Sequence, residues 1–228
     1  MRIPKIAILH YSAPPVVGGV EAVIQAHAQI LVQAGYPVTI VAGQGQAAAL
    51  PEGTGFVLIP EIDSRHAQIE VMNGALEQGT VPPEFEAIAG QLTTILASTL
   101  KDFDTLIVHN VLTKHFNLPL TVALFRLLDA GVIRHAIAWC HDFTWTSPSS
   151  GNKVPPGYPF DLLRTLRADL TYVVVSRQRQ RELASLFGCP AEQIHVVYNG
   201  VDGGSLLGLS ADGRALVRRL DLLDRDLV

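Results

Sequence analysis

Residues 5–35, KIAILHYSAPPVVGGVEAVIQAHAQILVQAG, decide how this chain is read. Lys5–His10 is a short β-branched apolar run that predicts a strand buried on both faces. After a proline-containing turn, Val20, Val23, Ile24, Ile30 and Leu31 recur at helical spacing up to Gly35. A strand turning through Gly18-Gly19 directly into a helix exposes backbone N–H groups at a helix N-terminus, which carries roughly half a positive charge. Glycine lets an anion approach the backbone where a Cβ would obstruct it. The competing reading is a turn whose glycines only satisfy backbone geometry.

The rest of the chain repeats the pattern. Further strands are expected at Pro37–Ala42, Gly55–Pro60, Thr105–Asn110, His135–Cys140, Leu170–Ser176 and Ile194–Tyr198. Helices are expected at Val20–Ala34, Glu84–Leu100, Lys114–Ala130, Asp161–Arg167 and Gln178–Phe187, and Ile69, Val71, Met72 and Leu76 suit a short one. The runs TLIV, AIAW and TYVVV are almost continuously apolar, as in parallel strands covered on both faces. This alternation predicts an α/β fold: a Rossmann-like, doubly wound, mostly parallel sheet of about seven strands, with right-handed crossovers and helices on both faces.

In such a sheet ligands sit beyond the carboxyl ends of the strands, so the residues there form one candidate set. They are His10-Tyr11-Ser12 and Gly18-Gly19, His109-Asn110, Cys140-His141-Asp142-Phe143, Ser176-Arg177, and Asn199-Gly200-Val201-Asp202. Each has a plainer reading. His141-Asp142 suits a strand end and its turn. A backbone carbonyl would satisfy His109, and Ser176 is a natural N-cap. Arg177, Arg179 and Arg181 suit a solvated helix face. Thr144–Pro159 holds four prolines and two glycines, with Trp145 and Tyr158 near its ends, a composition suited to a binding loop or lid. Those aromatic rings suit a carbohydrate face or a core equally.

Composition excludes several classes. Of 228 residues 48% are hydrophobic and 17% charged, so the chain is globular, and the net charge of -4 argues against general nucleic-acid binding. Cys140 and Cys189 form no CxxC pair and suit a reducing, cytoplasmic setting. Neither a signal peptide nor an apolar run of membrane-spanning length is expected. Gly43-Gln44-Gly45-Gln46-Ala47-Ala48 spells a dinucleotide fingerprint, but it follows the second strand and Pro51 soon interrupts it, so a nicotinamide enzyme is disfavoured. The eight histidines form no zinc-type pair, and no G-x-S-x-G is present.

Taken in order, Gly18-Gly19-Val20-Glu21, His141-Asp142, Val174-Val175-Ser176 before a basic helix, and Asn199-Gly200-Val201-Asp202 resemble the N-terminal Rossmann-like domain of retaining GT-B glycosyltransferases. The resemblance spans about residues 3 to 205 and departs at Tyr198, where the family usually has proline. It implies a domain at 1–204 that binds the acceptor, with 205–228 a linker leading to a second domain. That second domain, with its glutamate pair and its Lys/Arg pair for the diphosphate, is not found before Asp226-Leu227-Val228. The implied reaction transfers a hexose from a nucleotide-sugar to an acceptor with retention, and this chain alone is expected to be inactive. By the same resemblance His141 and Asp142 are catalytic, His141 bonding the transferred sugar. Gly18, Gly19, Glu21, Ser176 and Arg179 hold the donor's phosphate and sugar, and His109, Asn110 and Trp145, with Asp142, face the acceptor. No metal and no cofactor is implied, the nucleotide-sugar being a substrate, and a lipid acceptor would imply peripheral membrane association. The rival expectation is a non-catalytic binding or regulatory module on the same fold.

Overall fold

The computed structural model describes residues 2–200 and 210–220. The chain divides into two units, Met1–Val197 and Tyr198–Val228. The first is built on seven strands: β1 (Ile6–Ser12), β2 (Val38–Gln44), β3 (Gly55–Leu58), β4 (Thr105–His109), β5 (Ala136–Cys140), β6 (Leu170–Val174) and β7 (Ile194–Val196). Every pairing is parallel, in the order β3-β2-β1-β4-β5-β6-β7. The expected doubly wound α/β sheet is therefore present, and it is parallel throughout.

Five helices cover it: α1 (Gly19–Gln33), α2 (Ala67–Glu77), α3 (Phe85–Leu100), α4 (Leu118–Asp129) and α5 (Arg177–Phe187). Strand alternation divides the core between the two faces of the sheet. Ile6, Ile8, Val38, Ile40 and Ile107 pack with Ile24 and Ala28 of α1. Ala7, Leu9, Val41, Leu106 and Val108 meet Leu92 and Leu96 of α3, Leu124 of α4 and Leu183 of α5 on the other. Full burial of a side chain such as Ile24 contributes about 1.5–3 kcal/mol.

Two expected helices change under local chemistry. The one expected from Lys114 begins at Leu118, because the Asn117 side chain accepts from Leu120 N (3.1 Å) and caps it, after a 3-10 turn at His115–Asn117. Asp161–Arg167 forms only a 3-10 turn, Phe160–Arg164, whose Phe160 and Leu163 are buried against α4. The fingerprint-like glycines serve packing: a Cβ on Gly43 would stand 2.1 Å from the backbone N of Asp63, and Gly45 has φ +148°. No helix among the described residues is long and apolar enough to cross a membrane.

In the second unit, α6 (Ala211–Arg219) is capped by Ser210, whose hydroxyl accepts from Gly213 N at 3.0 Å, and Leu216 and Leu220 are exposed. Val201 and Asp202, and the remaining leucines of the expected tail, lie outside the described residues.

Candidate functional site

The sheet winds left from β1 through β2 and right from β4 onward, so the topological switch point falls between β1 and β4. Chain continuations part there and leave a crevice at the carboxyl edge. His10 at the end of β1 donates from Nδ1 to the His109 carbonyl at the end of β4 (2.9 Å), which ties the two edges together. A cavity of 380 Å³ opens there, lined by Tyr11, Gly18, Gly19, Asn110, Lys114 and Asp142 among others.

Gly18 and Gly19 stand as the sequence predicts, at the N-terminus of α1, which no side chain caps. Gly19 is open: a Cβ there meets nothing within 4 Å. Gly18 is not, because its Cβ would lie 2.1 Å from Glu21 Oε2. Glu21, expected at the donor, lines the cavity but is largely buried and engaged, accepting from the Ser12 hydroxyl at 2.5 Å with His10 Nε2 3.8 Å away. Its first structural task is to brace the glycine turn.

Asn110 has φ 59°, the left-handed conformation that asparagine tolerates best after glycine. Its Oδ1 accepts from His141 N (2.8 Å) and Asp142 N (3.3 Å), so one side chain fixes the backbone after β5. Asp142 lines the cavity and forms an ion pair with Arg179 at 2.8 Å; Arg179 also reaches Glu182 at 2.7 Å. Ser176 caps α5, its hydroxyl accepting from Arg179 N at 3.1 Å. Ser176 and Arg179 are therefore linked to each other and, through Asp142, to the cavity rim.

Two expectations for the acceptor side need correcting. His109 is fully buried, stacked on Trp139 and His141 with His27 beside it, and does not line the cavity, so its surface is not open to an acceptor there. Trp145 faces inward: its indole donates to the Phe160 carbonyl (3.3 Å), Arg164 stacks over the ring at 4.2 Å, and it packs on the Phe160–Leu163 cluster. Turned inward, the ring covers the apolar cluster and its indole N–H finds a carbonyl acceptor.

His141 is 8% exposed and is not among the residues lining the cavity. Its Nε2 lies 3.1 Å from His109 Nδ1. Burial lowers the pKa of His141 to about 4 and that of His109 well below the usual histidine range, so both rings are neutral at pH 7. One proton lies between them. If it belonged to His141, His109 would carry its own on Nε2, which is buried without a partner. An orphaned N–H is the rarer kind of unsatisfied group, so the network assigns the proton to His109 Nδ1. His141 then carries its own on Nδ1, a donor with no partner among the described residues.

His10, His27, Trp139 and Lys114 belong to this neighbourhood, and only His10 stood in the candidate set. His27 and Trp139 sit at ordinary apolar-face positions of α1 and β5, with nothing in the sequence to mark them. Lys114 did carry a signal, as the one lysine or arginine between Lys101 and Arg126. Among the described residues no three metal-donor side chains converge.

The fold is shared with solved glycosyltransferases. WaaG, a glycosyltransferase involved in lipopolysaccharide biosynthesis, is 9% identical, with 95% of this chain and 51% of that one covered at a TM-score of 0.51. A glycosyltransferase from Rickettsia africae is 12% identical, with 97% and 50% covered and a TM-score of 0.55. The chain thus spans about half the length of the structures it matches. No curated protein sequence matches it. The model of Glycosyltransferase Family 4 matches residues 17–203, from the glycine turn to the far side of β7, and the chain belongs to that family.

Proposed function

We propose that this chain is the acceptor-side half of a GT-B transferase, which moves a hexose from a nucleotide-sugar to an acceptor with retention of configuration. The observation that carries the reading is the uncapped, open N-terminus of α1 at Gly19, lining a cavity at the switch point of the sheet. The leaving diphosphate gains charge in the transition state, and fixed N–H donors stabilise it without reorganising. His141 donates from Nδ1 to a hydroxyl of the transferred sugar, and Asp142 faces the acceptor. A buried donor of this kind also selects among sugars, since a substrate lacking the matching hydroxyl leaves it unpaired. Residues 1–204 form this half and 205–228 lead into a second domain that holds the base and ribose.

The test has two parts. Titrated with a panel of nucleotide-sugars, the 228-residue chain gives at most weak binding, because on this reading the base and ribose are held by the second domain; micromolar binding would overturn the two-domain reading. In a polypeptide that includes the second domain, His141→Ala lowers kcat/KM by about 10–1000-fold while the far-ultraviolet spectrum is kept. Unchanged kinetics would remove His141 from the mechanism.

A further inference from the structure

Lys114 lines the cavity but has no task in the preceding scheme. It lies on the loop between β4 and α4, only 8% exposed, yet it lines the cavity at the switch point. Its ammonium makes no ion pair and no hydrogen bond among the described residues; it rests over the Phe116 ring, 4.8 Å from the centroid. The nearby charges do not supply a partner. Asp142 is committed to Arg179 at 2.8 Å, and the two act on Lys114 with opposite signs. The stem is buried while the ammonium keeps contact with solvent, so it faces the open cavity with no counter-charge bonded to it. Val111, Leu112 and Leu118 nearby are buried apolar residues, and the adjacent buried Thr113 and His115 bond to the Asp142 carbonyl and to the Thr144 hydroxyl, not to Lys114.

The same cavity contains the open α1 N-terminus, so two separate positive points face a volume that Glu21, Asp63 and Asp142 also line, with Glu21 held by Ser12 and Asp142 by Arg179. That volume, 380 Å³, is within the range of small-molecule sites. We infer that Lys114 is the binding residue for an anionic oxygen group, phosphate or carboxylate, carried by the acceptor. The inference rests on the transferase reading for the word acceptor, but not for the anion site itself. The helix amides take the donor's diphosphate, and the ammonium takes the second anion. Arg65, an exposed residue, also lines the cavity and adds a further positive charge there. An acceptor so bound is a small phosphorylated or acidic molecule, or the headgroup of an anionic lipid.

The test uses the 228-residue chain with inorganic phosphate and pyrophosphate as probes at constant ionic strength, followed by calorimetric titration and thermal melting. Lys114→Met keeps the length of the stem and removes the charge; Lys114→Gln repeats the test with a polar end. Both variants are expected to bind phosphate at least about tenfold more weakly, as for loss of one charge-assisted contact. Both are expected to melt at or above the temperature of the unsubstituted chain, because an unpaired charge has been removed. Phosphate should still bind when pyrophosphate is saturating, and Gly19→Val should weaken pyrophosphate alone. The site is overturned if the unsubstituted chain does not bind phosphate, if the Lys114 variants bind it equally well, or if both melt lower, which would make Lys114 structural. Competition between the two probes would assign Lys114 to the donor diphosphate and overturn the acceptor assignment. Loss of the Gly19 effect alone would count against the transferase reading while leaving the Lys114 site standing. Vesicles with and without anionic lipid then distinguish a headgroup from a free small molecule.

Discussion

Asn110 concentrates two structural demands in one residue, and a short substitution series separates them. Its φ of 59° costs an L-residue other than asparagine, aspartate or glycine about 1–2 kcal/mol. Its Oδ1 satisfies the buried N–H of His141 at 2.8 Å and, more weakly, that of Asp142 at 3.3 Å. Removing the acceptor leaves the first of these unsatisfied, at about 1–3 kcal/mol. Asn110→Gly loses only the acceptor and is expected to cost about 1–3 kcal/mol. Asn110→Ala loses the acceptor and gains the backbone strain, for about 2–5 kcal/mol in all. Asn110→Asp keeps an acceptor and the tolerance for this conformation, so its cost is the smallest. Urea unfolding of the 228-residue chain, followed by circular dichroism, measures the order Asp, Gly, Ala. The reasoning is refuted if glycine and alanine cost the same, or if both cost less than about 0.5 kcal/mol, the range of an ordinary surface change.

Gly18→Ala is expected to destabilise by about 1 kcal/mol, since its Cβ displaces the Glu21 carboxylate held by Ser12, whereas Gly19→Ala leaves the melting temperature nearly unchanged. Equal effects at the two positions would refute the bracing role of Glu21. His141 and His115, both lowered by burial from 6.5 to about 4, bind fewer protons in the folded than in the unfolded chain between those values. Their contribution is therefore complete above about pH 6.5 and is lost as the pH falls to about 4, up to about 3 kcal/mol each. Unfolding measured across that range shows the loss, and His141→Gln or His115→Gln flattens it. Burial pushes the Cys140 thiol up to about 12, so iodoacetamide is expected to label Cys189 in the native chain and both cysteines only after unfolding. Two equivalents in the native chain would mean that β5 opens readily.

The inner strands were legible in order because their runs are apolar on both faces, as a covered parallel sheet requires, and that signal is local. The glycine turn was legible for the same reason: Gly18-Gly19 between a strand and a helix needs no knowledge of the rest of the chain. Helix limits were less so, because Asn117 as a cap and Phe160 in a core are decided by what lies opposite them. The sequence by itself determined the fold class, the carboxyl edge that carries the site, and the family to which these motifs belong. Only the tertiary structure decided what each polar residue does there. His109 and His141 look alike at two strand ends, yet one is sealed against Trp139 and sets the other's proton. Trp145 turns into its loop, and Lys114 has the Phe116 ring but no ion pair among the described residues. For the two histidines and Trp145, burial and pairing depend on residues 15 to 32 positions away in the chain, and no local pattern encodes that distance.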